Sequence, residues 1–346
     1  MGSLSWGAAA WWFIFPPSRT TVEFYFSHRW YHWILRWTVP LTQSVLFPIA
    51  LVLLFAGATV FLLLWTGAWI RIRRVQRHSH WKGFFWGIRC MFLVLPVLVV
   101  WFLAFWGAGY RRLPLEKRLS FDTSAVSERE TEGLRALLLD CVRKDFTPVQ
   151  DREAGRAVSS IASAMTRIVT VWDGSPIELP CRVKPMPKGC LLASGTSGMC
   201  SPFTLEALVD KALPDTEFVS SAAHELGHIA GFCAEDEATF VGYISGMQAD
   251  DKFARYACAL NAYMDLIARL KGENFKKALG ALPELARQDL ANTDEAYRKY
   301  HLAWFSGLTW RAYDRYLYTQ GISEGVRNYS RGIMLLVGAW RKGLVH

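Results

Sequence analysis

Apolar and polar positions divide the chain into two regimes. From Thr38 to Ile70 no residue is charged, and SVLFPIALVLLFAGATVFLLLW is apolar for longer than the roughly 20 residues that cross a bilayer core. A second run, FFWGIRCMFLVLPVLVVWFLAFWGAG, carries only Arg89, close enough to its start to snorkel. The pattern predicts spanning helices over about 44–68 and 84–109. Pro48 and Pro96 lie inside these runs, which membrane helices tolerate. The first residues, MGSLSWGAAAWWFIFPPS, are uncharged but stop at Pro16-Pro17, giving at most a short helix over 4–15 that either enters the membrane or lies at its surface. They lack the basic start and small-residue cleavage site of a signal peptide.

After residue 110 the texture becomes amphipathic. Ser127-x-x-Glu130 is a capping box that opens a helix to about Lys144, and a second helix is expected from near Val149 to Ile168. Prolines, glycines and short apolar pieces between Val169 and Leu208 predict a small strand region. Helix signals dominate from Asp215 onward, with Gly321 as one stop. The expected organisation is an anchor over 1–109 and one mostly helical domain with a small sheet over 110–346.

The formal charge of +9 would suit nucleic acid if it lay on the soluble part. It does not: residues 1–109 hold nine Lys/Arg and the single acid Glu23, and twelve of the 16 tryptophans. Basic flanks and Trp around apolar runs are what a bilayer selects, so the lipid bilayer is the expected partner and nucleic acid is not. The loop RIRRVQRHSHWKG (71–83) has five Lys/Arg and no acid, which keeps it in the cytoplasm and puts 110–346 outside; YRRLPLEKR after the second run is basic too and weakens the asymmetry. Six of seven cysteines lie in the outer part, and Cys181, Cys190 and Cys200 are close enough in sequence to pair, although free thiols are an equal reading.

His224-Glu225-Leu226-Gly227-His228 is an H-E-x-x-H motif. Residues four apart share a helix face, so both imidazoles reach one metal while Glu225 stays beside it. Zn²⁺ suits two neutral imidazoles and a carboxylate and leaves one position for water. The metal lowers that water's pKa, and Glu225 takes its proton and passes it to a leaving amine. Asp215 or Thr216 can cap this helix, Val219, Ala222, Ala223 and Leu226 can face inward, Gly227 allows close approach, and Gly231 ends the helix. The third ligand should be an acid just after that break. Glu235 fits best because Thr239, one turn on, can hydrogen-bond a ligand; Glu237 is the alternative. A pair of buried structural histidines is the other reading of the motif.

The stretch SPFTLEALVDKALPDTEFVSSAAHELGHIAGFCAEDEATFVGYI resembles the core of an uncharacterised bacterial membrane family, domain of unknown function 3810, itself similar to the gluzincin group of zinc peptidases that includes thermolysin. PPSRTTVEFYFSHRWYHWI and YLYTQGISEGVRNYSRGIMLL extend the resemblance. It implies a zincin-like domain behind membrane helices in a bacterial cytoplasmic membrane, with His224, His228 and Glu235 as zinc ligands, Glu225 as general base and a peptide or protein as substrate. The chain departs from the family in having Thr239 where Asn is usual, and in its short first helix. The resemblance also offers LLASGTSGMCSPF (191–203) as a substrate-aligning edge strand. Tyr243, Tyr256, His301 and Tyr329 are candidate oxyanion donors, and Cys233 is a candidate nucleophile or redox group. The motif is remote in sequence from both apolar runs, which suggests a soluble or surface-near peptide. The rival reading is a catalytically inactive zinc-binding or interaction module of the envelope; a transporter is disfavoured by the near absence of polar residues in the spans.

Overall fold

Two long apolar helices project from an otherwise helical body. The computed structural model describes residues 2–75, 80–122, 127–319 and 331–344. Gly321, Tyr329 and positions 76–79 of the basic loop lie outside the described residues.

Helix α1 (Gly2–Ile14) is followed by a helical rod made of α2 (Arg19–Thr21), a π-helical segment Val22–Tyr31 and α3 (His32–Gln43). The wide π turn puts Glu23, Ser27 and Tyr31 on one buried face. Next come α4 (Ile49–Val75) and α5 (His80–Phe105). Both are long and apolar enough to cross a bilayer, and the most apolar window of α4 contains no buried residue. The 13 residues of α1 reach only about 20 Å, less than a bilayer core. It lies along α5, with the Trp6 indole donating to the carbonyl of Phe92 at 3.0 Å.

The span boundaries read from hydropathy shift at both ends. Pro48 precedes the first turn of α4, so residues 44–47 lie outside that helix. Helix α5 stops at Phe105, and Gly107–Arg111 form a tight 3₁₀ turn buried on the body. Glycine is required there: a β-carbon on Gly109 would come within 2.5 Å of Cys233 Sγ.

The body contains α6 (Leu115–Arg118), α7 (Glu128–Lys144), α8 (Ala154–Asp173), β1 (Lys184–Met186), β2 (Gly198–Ser201), β3 (Glu206–Asp210), α9 (Asp215–Ile229), α10 (Glu235–Met247), α11 (Lys252–Ile267), α12 (Gly272–Gly280), α13 (Glu284–Tyr300), α14 (Ala303–Thr319) and α15 (Gly332–Arg341). The capping box at Ser127 forms as read. Helix α8 starts later and runs longer than its pattern suggested: Arg152 and Glu153 are extended, and the stop is Gly174, left-handed at φ 65°. Helix α9 lacks the side-chain cap expected from Asp215 or Thr216. Pro214 occupies the cap position, and Asp215 and Glu217 act only as first-turn acids.

The sheet has the order β1–β3–β2, with β1 parallel and β2 antiparallel to β3. A buried Lys184–Glu206 pair ties it to α4, because Glu206 also accepts from the amides of Ile49 and Ala50 at 2.9 and 2.7 Å. Helices α8, α9, α10, α11 and α15 pack around one core. Residues Glu235–Gly246 of α10 are all buried, so this helix is covered on every side. Tyr31, Ile34 and Leu35 of the N-terminal rod belong to the same core, so packing crosses the line that hydropathy draws at residue 109. The seven cysteines are free, and no pairing joins Cys181, Cys190 or Cys200.

Candidate metal centre

Helix α9 presents His224 and His228 on one face, and the chain turns at Gly231 (φ 92°) to bring α10 back against it. Gly227 permits the approach, since a β-carbon there would lie 2.8 Å from the Ala238 carbonyl oxygen. The turn delivers Glu235 to the histidines. Its Oε2 is 3.1 Å from His224 Nε2 and 3.3 Å from His228 Nε2, and the imidazoles stand perpendicular with centroids 4.7 Å apart. Glu237 is directed elsewhere, accepting from the amide of Leu115 at 2.7 Å. Of the two acids weighed, the structure places Glu235 with the histidines.

The outer nitrogens are also engaged. His228 Nδ1 is 2.8 Å from the Phe232 carbonyl, and His224 Nδ1 is 3.1 Å from Thr239 Oγ1. Donation from His228 Nδ1 to a carbonyl leaves Nε2 as its coordinating atom. Tyr313 Oη donates to the second Glu235 oxygen. Burial opposes the Glu235 charge, but the charge of His228 and the hydrogen bonds of both imidazoles outweigh it and hold the carboxyl well below the usual range. Burial likewise disfavours charge on His228, yet Glu235, with help from Glu225, pushes it up to about 9. The three ligand atoms lie within 4.8 Å of one another, an arrangement that could hold a metal ion.

Glu225 is buried beside this cluster, and its Oε2 has no hydrogen-bond partner among the described residues. Burial pushes its carboxyl up to about 7, with the two imidazoles pulling the other way. Gly198 of β2 is the close neighbour: a β-carbon there would sit 2.6 Å from Glu225 Oε1. Glu225 and His224 face a cleft of about 310 Å³, also lined by Gly195–Gly198, Tyr297 and Trp310. Four amides of the loop around it, those of Gly189, Leu191, Leu192 and Ala212, donate to the Asp210 carboxylate. At one end of the cleft Glu217 and Asp265 face each other, and burial and mutual repulsion push Glu217 up to about 7.

Other expected residues fall differently. Tyr243 lines the cleft, but its hydroxyl donates to Asp265 at 2.6 Å. Tyr256 is committed to Asp289 at 2.6 Å. His301 lies beside Gly195. Cys233 is buried, and burial drives its thiol far up, which makes it a poor nucleophile. Tyr313, Tyr297 and Trp310 carried no spacing signal in the sequence; only the fold brings α13 and α14 over the cleft. A second group of possible ligands, Glu23, His28 and Asp173, is already compensated by Arg112 and Arg118.

Sequence remoteness from the spans does not become distance in space. The Trp106 ring lies edge-on to His228 with centroids 5.8 Å apart, and Cys233 Sγ lies 3.6 Å from the Trp106 carbonyl. The site therefore sits at the end of α5.

A mostly helical protein with a three-stranded sheet, two apolar helices near its N-terminus and a His-His-Glu cluster is the class these features define. The chain belongs to the family described as protein of unknown function, DUF3810, whose model matches residues 26–337. No curated protein and no solved structure matches it.

Proposed function

We propose that this protein is a membrane-anchored zinc peptidase of gluzincin-like design. The observation that carries the reading is Glu225, which lines the cleft beside the His-His-Glu cluster and whose buried Oε2 has no partner among the described residues. A buried carboxylate oxygen without a partner costs free energy unless a ligand or water meets it. The donor set suits Zn²⁺: His224, His228 and Glu235 would hold it, with Thr239, the Phe232 carbonyl and Tyr313 fixing the ligands. When bound, zinc supplies Lewis acidity toward the scissile carbonyl and lowers the pKa of water. Glu225 takes a proton from the attacking water and delivers it to the leaving nitrogen as the C–N bond breaks. A carboxyl near neutrality suits both transfers. The HELGH helix beside a small sheet, with the third acid on the next helix, supports a zincin-like fold.

For location, we read α4 and α5 as two crossings of a bacterial cytoplasmic membrane with the body outside. The five Lys/Arg and no acid of the 71–83 loop support that orientation.

Zinc content of the full-length protein in detergent tests the reading. About one zinc per chain is expected, lost in His228→Ala and Glu235→Ala and kept in Glu225→Gln, with peptide hydrolysis abolished in all three. Zinc binding without hydrolysis of a broad peptide library would favour an inactive envelope module. A well-folded protein without zinc would remove the reading.

A further inference from the structure

Two elements lead from the cleft to the same place. One is β2, the edge strand of the sheet. It begins at Gly198 against Glu225 and continues to Phe203, whose ring lies 6.4 Å from Trp101 and 6.5 Å from Phe102 of α5. The other is α14. Trp310 lines the cleft, Tyr313 reaches Glu235 one turn later, and Tyr316 lies 6.0 Å from Phe102 and 5.8 Å from Tyr110. Phe102 thus neighbours both the continuation of β2 and α14.

That region carries the marks of a bilayer interface. Trp101 and Phe203 are 45% and 39% exposed although they touch. Trp30 and Trp33 stack at the same height, where the Trp30 indole donates to the Ala104 carbonyl at 2.7 Å. Indoles collect at the headgroup level because they pair an apolar ring with a donor. An extended chain laid along β2 therefore has one flank in the cleft and the other at lipid.

We propose that the substrate is a polypeptide anchored in the same bilayer, bound as an added strand on β2 with its amino-terminal flank at Phe203. The direction follows from strand pairing: antiparallel addition is the more stable per residue, and β2 runs from the cleft toward α5. The proposal rests on the peptidase reading and on α4 and α5 crossing the membrane.

The test uses the zinc-loaded full-length protein in phosphatidylcholine–phosphatidylglycerol vesicles and a randomised internally quenched peptide library in three forms: unacylated, palmitoylated at the N-terminus, and palmitoylated at the C-terminus. Both acylated forms concentrate on the vesicle, so enrichment alone gives them equal rates. The expected result is cleavage of the N-acyl form at least tenfold faster than the C-acyl form. Equal rates for the two acylated forms, or preference for the C-acyl form, would overturn the proposal and leave the peptidase reading standing. No cleavage of any form would remove both.

Discussion

Gly242 and Ala223 are in backbone contact: a β-carbon on Gly242 would stand 3.0 Å from the carbonyl carbon and oxygen of Ala223 and from the amide of His224. Backbone cannot move aside as a flexible side chain can, so the distance between α9 and α10 is fixed at the level of the histidines. Gly242→Ala should cost about 1–3 kcal/mol by overpacking. It should also carry Glu235 away from His224 and His228. The expected outcome is a lower melting temperature together with a marked loss of zinc affinity, read by chelator competition on the full-length protein.

Tyr313 acts on the cluster through Glu235. Tyr313→Phe removes only the hydroxyl, so the fold should hold while the carboxylate loses an orienting donor. Zinc affinity should fall about 10- to 100-fold, the usual effect of removing a partner that orients a ligand. Unchanged affinity would show Tyr313 to be packing alone.

How much of this was legible beforehand follows from range. His224, Glu225 and His228 were readable because a helix turns their sequence spacing into shared direction. Glu235 was readable because a turn at Gly231 leaves few acids close enough. Tyr313 was not: 78 residues separate it from Glu235, and their meeting depends on α14 crossing the cleft. The same reason hid Trp106, whose place against His228 follows from the tight turn after α5. Local hydropathy located both apolar helices but missed that residues 107–109 leave the span, since a buried turn and a membrane helix share the same apolar composition.

Glu217 gives a pH dependence independent of any metal ligand. Burial beside Asp265 raises its carboxyl from 4.5 to about 7, so between those values the folded protein holds a proton that the unfolded chain has released. Stability therefore falls as pH rises across that window, at up to about 1.4 kcal/mol per pH unit, and levels off above it. Glu217→Gln lacks this dependence. Its melting temperature relative to wild type should climb from pH 5 to pH 8, and a constant difference would refute the assignment.

The Glu23–Arg112–Asp173–Arg118 group is buried, whereas the Arg287–Glu284 pair is at the surface. Asp173→Ala leaves two guanidinium groups short of a partner and should destabilise by about 3–5 kcal/mol. Glu284→Ala should change stability by less than about 1 kcal/mol. Thermal unfolding of both variants in the same detergent decides whether the group is structural on this scale.

The sharing of one core by Tyr31, Ile34 and Leu35 with the helices beyond residue 110 has a topological consequence. Two segments that pack together lie on the same side of a bilayer, so the chain between them crosses it an even number of times. Helices α4 and α5 thus cross as a hairpin or not at all. A lone inserted helix would strand the N-terminal rod on the opposite face, with Arg112 and Arg118 separated from Glu23. A folded core thus fixes the parity of any crossing made by α4 and α5.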